Sequence, residues 1–599
     1  MRNNNIKKLL YIILMLLLAS PVFGATYYVD ADAADDTGTG LVGDPWKTIN
    51  KVNSVNFAND DIIQFERSDT FNDETLTLDA TSATRSGIIV QAYGAGDKPR
   101  IDGNSIQPIY INHALVNLTL KDLDVSGSNF VMSSDSSIVK IENVNGLIID
   151  GVDRNGWTGT NGTYSRSNAI GLSRVAGDIE IKNCTLQNGM KDTFANTLSA
   201  WGTSDCVGII LWYAGDAYVK TSGTVSIHDN IIHDFYSDCI HLGGVHTTTN
   251  IYDNELYNFG ENGLDIKYSR YIDFYRNEVY QNDYGAAAGS SYYGPEGIVS
   301  GSSTDWSSTY RSQDNIIREN YIHTSPYTGI ITPGINSTIR HNYFKNLGNG
   351  IVVKDGGAKI HNNLFYLTTG KPTVEPYASR WGYTYLSGIM VDEPAKSSGY
   401  IYNNSLYITS SDLNYGIGYR TDTDVSGIII KNNIVQMTRN SASVYPLYVD
   451  NSAGDYPTVS NNAYYNANHS NRVYWKGTVY DSTEEAAFET ASSSSDAIFT
   501  DPKYTTPATP DLTLQSDSPC IDVGANLGGD YDEGWNPTTS MPPVTVTTID
   551  QDMRGSTPFW EIGAYVYDSD PVTGDPITIT PPGGLTIVPD AGGAITITY

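Results

Sequence analysis

The chain has 599 residues, 40% of them hydrophobic and 17% charged, which excludes a disordered chain and, at this length, one small domain. With 36 Lys and Arg against 67 Asp and Glu the formal net charge is −31, which excludes the basic face that a general nucleic-acid binder needs. Four cysteines are too few for a disulfide-stapled scaffold, while 43 tyrosines and 56 glycines favour strands and turns over helices.

At the N-terminus Arg2, Lys7 and Lys8 precede an apolar run from Leu9 to Ala19 and the small-residue stretch Ser20-Pro-Val-Phe-Gly-Ala25. This pattern predicts a signal peptide over residues 1–24. The run is shorter than the ~20 residues of a spanning helix, and no later segment is apolar enough to span, so no membrane insertion is expected. The expected location is secreted or periplasmic. Removing the three basic residues takes the net charge from −31 to −34. An oxidising compartment permits disulfides among Cys184, Cys206, Cys239 and Cys520, in any of three pairings.

From there the chain reads as strand, turn, strand. The segments 87–94, 118–127, 147–156 and 179–189 each end a β-rich run in a turn. A regular repeat then sets in, with a polar residue, an asparagine and an apolar residue in fixed order. Its asparagines are Asn230, Asn254, Asn277, Asn320, Asn342, Asn363, Asn404 and Asn433, spaced by 24, 23, 43, 22, 21, 41 and 29 residues. The shorter spacings fit one coil of a parallel β-helix with three short strands per rung. The spacings of 43 and 41 are one rung plus a loop. Asparagine at a fixed corner tolerates a left-handed backbone, and its amide can bond the amide of the next rung.

A second phrase, Gly-[Ile/Leu]-x-apolar, follows each corner: 238–243, 262–267, 296–301, 328–333, 349–354, 387–392 and 415–420. Alternation points two residues of each phrase into the coil and two outward. Stacking predicts two outward columns. One runs Ile210, His241, Asp265, Val299, Ile331, Val352, Met390. The other runs Trp212, Gly243, Lys267, Gly301, Pro333, Lys354, Asp392, Arg420. No segment keeps a 3.6-residue period, which excludes a helical or leucine-rich solenoid. Ser518-Pro-Cys-Ile-Asp-Val-Gly and Glu561-Ile-Gly-Ala-Tyr read as closing segments. The expected organisation is an all-β, right-handed parallel β-helix over 25–567, followed by a Pro/Gly/Thr-rich tail at 568–599.

The opening phrase at 26–52, DIIQFERSDTF, SGIIVQAYGAGDKPRIDG and the closing SPCIDVGAN with EIGAYVY resemble secreted bacterial right-handed parallel β-helix proteins. The resemblance covers about residues 26 to 567 and implies that fold. Polysaccharide lyases, glycoside hydrolases, mannuronan epimerases and phage tailspikes share it. Glu261-Asn-Gly-Leu-Asp-Ile-Lys267 looks like the segment of chondroitinase-B-like and alginate lyases in which carboxylates hold calcium ahead of a catalytic Lys, with the spacing off by one residue. Ser237-Asp238-Cys-Ile-His is similar to a polygalacturonase phrase, with Ser237 in place of its first Asp.

Asp238, His241, Asp265 and Lys267 fall within two rungs, and Glu296 lies at the corner of the next. In an elimination, Lys267 would be the base if its pKa were lowered, His241 would protonate the leaving oxygen, and Asp238, Asp265 and Glu296 could hold Ca2+. Arg420, farther up the column, completes the expected catalytic set. In a hydrolysis, Asp265 with Asp238 or Glu296 would flank the glycosidic bond. A non-catalytic polysaccharide-binding or adhesin β-helix is the third reading, because an outward Asp or Lys on a sheet is ordinarily a solvated side chain.

The two long loops carry Tyr292, Tyr293, Trp306, Arg380 and Trp381. With Lys354 they are the expected substrate-binding residues, aromatic faces for sugar rings and cations for carboxylates. From Gly260 to Asn440 there are 15 Lys/Arg and 16 Asp/Glu, so the repeat region is nearly neutral in an acidic chain and permits an anionic polymer to approach. The leading expectation is a monomeric lyase acting on a uronate-containing, acidic polysaccharide, with calcium as the candidate cofactor.

Overall fold

The computed structural model describes residues 24–567, apart from 80–83, 128–136, 155–167, 188–206, 213–222, 236, 282–296, 301–311, 369–385, 393–397, 421–426, 451–455, 543–544 and 552–559. Parallel strands wind into a coil from Thr26–Val29 to Asn471–Trp475. Three strips of strand make each full rung. The first strip is one continuous parallel sheet from Thr26–Val29 to Thr458–Ser460. The second includes Ile231–Phe235, Glu255–Phe259 and Glu278–Tyr280; the third includes Ile209–Trp212, Ile240–Gly243 and Asn262–Lys267. The two strips join where Tyr321–Ile331 and Tyr343–Val353 bend through the corner as single 11-residue strands.

The register explains the core. On the first strip, Ile227, Ile251, Phe274, Ile317, Ile339, Ile360, Ile401, Ile430 and Val459 lie rung upon rung. None is more than 2% exposed. Alternation sends their neighbours outward, where rings pile face to face: His228 on Tyr252 at 4.6 Å and Tyr252 on Tyr275 at 5.1 Å. Many of the tyrosines therefore cover the coil.

The asparagine ladder is present and gains Asn462 as a ninth step. At each step the backbone N–H and the side-chain Nδ2 both donate to the next Oδ1, as from Asn254 to Asn277 at 3.0 and 2.9 Å. The left-handed residue, however, is the one before each ladder asparagine: Asp229, Asp253, Arg276, Glu319, His341, Asn362, Asn403, Asn432 and Asn461, all at φ between 50 and 58°. That residue turns the corner. The asparagine behind it points its amide inward, where both ends can be bonded.

Both ends of the coil are plugged. Helix Ile49–Asn53, N-capped by Thr48, lays Ile49 and Val52 beside Trp46 and Phe57 at the base. Helix Glu485–Ser492 sets Phe488 against Tyr464, Trp475 and Phe499 at the top. The parallel winding thus stops near Trp475, and the remainder of the 25–567 unit returns along the flank as a strap. Trp535 Nε1 donates to Asn362 O at 2.5 Å, Ala525 N to Asn432 Oδ1 at 2.9 Å, and Ala564 N to Ser405 Oγ at 2.9 Å. The strap thus takes up some of the polar groups that the ladder corners leave over, among them Asn362 O and Asn432 Oδ1. Cys184, Cys239 and Cys520 are buried free thiols, so no disulfide links them. Cys206, residues 1–23 of the expected signal peptide and the 568–599 tail lie outside the described residues.

Candidate functional site

The strand pairings place the expected columns in register: Ile210 beside His241, His241 beside Asp265, Asp265 beside Val299, Ile331 beside Val352, and Val352 beside Met390. Outward does not mean solvated. His241 is 5%, Asp265 1%, Val352 1% and Met390 3% exposed. A second apolar seam of Ile331, Val352, Met390, Tyr415 and Tyr445 lies on this face, above the charged rungs.

Below that seam four groups meet. His241 Nδ1 lies 3.0 Å from Asp238 Oδ2 and 3.3 Å from Asp265 Oδ2. Lys267 Nζ lies 2.7 Å from the same Asp265 oxygen. Asn262 Nδ2 donates to Asp238 Oδ1 at 2.8 Å, so the corner residue Asp238 does turn toward the column. Register brings His241 and Asp265 together, and the turn before Ile240 brings in Asp238. Three atoms here have no hydrogen-bond partner, His241 Nε2, Asp265 Oδ1 and Asn262 Oδ1. Buried polar atoms are seldom left so, and here they sit beside a cation that reaches solvent.

Glu261 is the residue that sequence reasoning passed over. It stands at the head of the 262–267 strand, accepts from Ser237 Oγ at 2.9 Å and is half-buried. The signal was the pairing of Ser237 and Glu261 at the same position of successive rungs, 24 residues apart. Burial, with Asp238 and Asp265 adding to it, pushes the Glu261 carboxyl up to about 8. Burial and the neighbouring Asp265 also raise Asp238, against the pull of His241. Burial opposes charge on His241, but Asp265 and Asp238 outweigh it and raise its pKa.

Lys267 departs from expectation. Burial opposes its charge, yet Asp265, Asp238 and Glu261 outweigh burial and raise it above the ordinary lysine value. A base must be neutral, and these carboxylates hold the ammonium charged. The space beside Lys267 that Gly243 leaves is filled. A Cβ built there would meet Trp212 Cε3 at 2.1 Å, so the indole occupies that space.

Two other expected members stand apart from this group. Arg420 pairs in register with Asp392. Its place in the column is five rungs above Lys267, about 24 Å at the rung spacing, too far to share one bond-breaking site. Lys354 is half-buried, three rungs up. Glu296, Tyr292, Tyr293, Trp306, Arg380 and Trp381 lie outside the described residues.

One ligand atom each from Asp238, His241 and Asp265 lie within 4.8 Å of one another. Calcium takes six to eight oxygen ligands. Here both Asp238 oxygens are engaged, by Asn262 and His241, and Lys267 and His241 already neutralise Asp265. Asp238, His241 and Asp265 as placed here offer calcium too few free oxygens.

The winding defines the class: the chain is a right-handed parallel β-helix protein. The family described as "Right handed beta helix region" matches residues 215–371. No curated protein sequence matches the chain significantly. Solved structures resemble it at a distance. A GH136 lacto-N-biosidase from Eubacterium ramulus shares 12% identity over 68% of each chain at a TM-score of 0.37. The A-module of the Azotobacter vinelandii mannuronan C-5 epimerase AlgE6 shares 10%, over 74% of this chain and 91% of that one, at 0.36. PfbA, a surface adhesin of Streptococcus pneumoniae, shares 12%, over 63% and 85%, at 0.37. These likenesses assign no activity.

Proposed function

We propose that the chain is a secreted polysaccharide-cleaving enzyme, and that it works by hydrolysis through the Glu261 carboxyl and the Asp265 carboxylate rather than by elimination from Lys267. The proton inventory of the cluster carries this reading. Elimination needs a base, and the expected base is held as an ammonium. Hydrolysis needs one carboxyl that keeps its proton and one carboxylate that does not. Glu261, at about 8, keeps its proton at neutral pH, and Lys267 stands 2.7 Å from the Asp265 oxygen as its counter-charge.

Glu261 donates its proton to the glycosidic oxygen as the bond from that oxygen to the anomeric carbon breaks. Asp265 offsets the positive charge that develops on the ring. A water hydroxyl then adds to the anomeric carbon, and the remaining proton restores Glu261. His241, buried and anchored through Nδ1 to Asp238 and Asp265, holds the two carboxylates in place. The signal-peptide pattern in the sequence of residues 1–24 supports export.

The test is a panel of uronate and neutral polysaccharides, read for reducing ends and for near-ultraviolet absorbance. The expected result is new reducing ends without absorbance, abolished in Asp265→Asn and Glu261→Gln. Absorbance from an unsaturated uronate would overturn the hydrolytic reading. Reducing ends that survive both substitutions would move the chemistry elsewhere.

A further inference from the structure

Among the described residues, Trp212 and Tyr271 are the aromatic side chains that stand as exposed large hydrophobics. Trp212 belongs to the site's own sheet. It pairs in register with Gly243, and Gly243 with Lys267. Its indole lies over the bare Cα of Gly243, and its ring centroid is 5.4 Å from that of His241 at 48°. It remains 38% exposed. An indole resting on a glycine and an imidazole is held in one orientation, yet it leaves surface in water that burial would otherwise claim. One rung beyond Gly243 stands the Lys267 ammonium, 36% exposed.

From this juxtaposition we infer that Trp212 and Lys267 form two adjacent subsites for a uronate-containing chain running along the coil axis, one sugar ring stacking on the indole and the carboxylate of its neighbour pairing with the ammonium. The two residues are two rungs apart, about 10 Å, the reach of two linked sugar rings. Lys267 spends one direction on Asp265, and an ammonium has three donors, so a second carboxylate can be met on its solvent side. The substrate class follows from the pairing of a ring face with a fixed positive charge. Gly243 is required because any side chain there would displace the indole. This inference rests on the proposed hydrolytic reading for the bond that is cut, and on the column alone for what is bound.

The test is titration calorimetry with hexamers of galacturonate, mannuronate, guluronate and a glucuronate-containing glycan, each beside its carboxyl-reduced counterpart. A Glu261→Gln background blocks turnover. At least one uronate hexamer is expected to bind, and carboxyl reduction to weaken it about tenfold or more, a change of about 1.4 kcal/mol. Trp212→Ala is expected to weaken it by about the same factor and Trp212→Phe to recover most of the loss. In Lys267→Met the reduced and unreduced hexamers should bind alike. Binding unchanged in Trp212→Ala, equal affinity for reduced and unreduced hexamers, or no binding of any uronate hexamer would each overturn the inference. Hydrolysis of a neutral polymer with an unchanged KM in Trp212→Ala would overturn it while leaving the catalytic reading intact. Trp212-dependent uronate binding without cleavage of any polymer would do the reverse.

Discussion

Replacing Asn342 by alanine removes one step of the ladder, and the structure gives the cost. The side chain is fully buried. Its Nδ2 donates to Ile317 O at 2.9 Å, Arg340 O at 3.0 Å and Asn363 Oδ1 at 3.0 Å. Its Oδ1 accepts the backbone N–H of Asn320 at 3.1 Å and Asn320 Nδ2 at 2.9 Å. Alanine leaves the Asn320 N–H without an acceptor in a place water does not reach. An orphaned buried donor costs about 1–3 kcal/mol, and each other hydrogen bond lost about 0.5–1.5. Several of the other partners keep a second bond, so the lower figures apply to them and the total is about 4 kcal/mol. In a solenoid the loss is confined to neighbouring rungs. Urea unfolding should therefore show a large fall in stability, and hydrogen exchange should show the Asn320 amide opening while amides near the base stay protected. A fall below about 1 kcal/mol, or an Asn320 amide as protected as before, would refute the view that the ladder is a chain of mutually satisfied buried amides.

Four further outcomes are expected. Asp265→Asn and Glu261→Gln should each cut turnover by about 100-fold or more with unchanged circular dichroism; a loss of folding instead would mark the cluster as structural. Activity should fall as pH rises through about 8, where Glu261 gives up its proton. Lys267 favours the ionised form of Glu261, so Lys267→Met should move that alkaline limb upward, and a downward shift in the pH–rate profile would contradict the assignment. His341 and His361 are buried under the strap, lowered to about 3 and about 4 chiefly by burial. His341 accepts from Arg340 at Nδ1 and faces Glu533 O at Nε2, with His361 and Arg318 also near; His361 faces Arg340, Lys359 and Asp530. Histidines depressed in the folded state give stability that is present above their unfolded value of ~6.5 and is lost as pH falls toward 4 and 3. Acid unfolding should begin at Tyr531–Trp535, and a His341→Gln/His361→Gln pair that leaves the pH slope unchanged would refute this. A thiol reagent should leave Cys184, Cys239 and Cys520 unmodified in the native protein and modify all three once it is unfolded.

The sequence by itself determined the winding. A parallel coil repeats one local demand at every rung: an apolar residue inside each strand, a residue that accepts left-handed backbone at the corner, and an amide behind it. That demand is written as the recurrent asparagine phrase, so the register of the regular rungs follows from the spacing, although the ladder runs one rung farther, to Asn462. Which of the two corner residues is left-handed did not follow, because Asn, Asp and even Arg occupy that place under the pressure of the stacked amides. Tertiary structure alone decided the chemistry of the site. The charge state of Lys267 depends on three carboxylates that converge from two rungs, and Coulomb energy depends on distance and burial, which periodicity does not record. The same holds for Trp212, whose indole fills the place of the side chain that Gly243 lacks, and for Arg420, which shares a column with Lys267 and lies about 24 Å away.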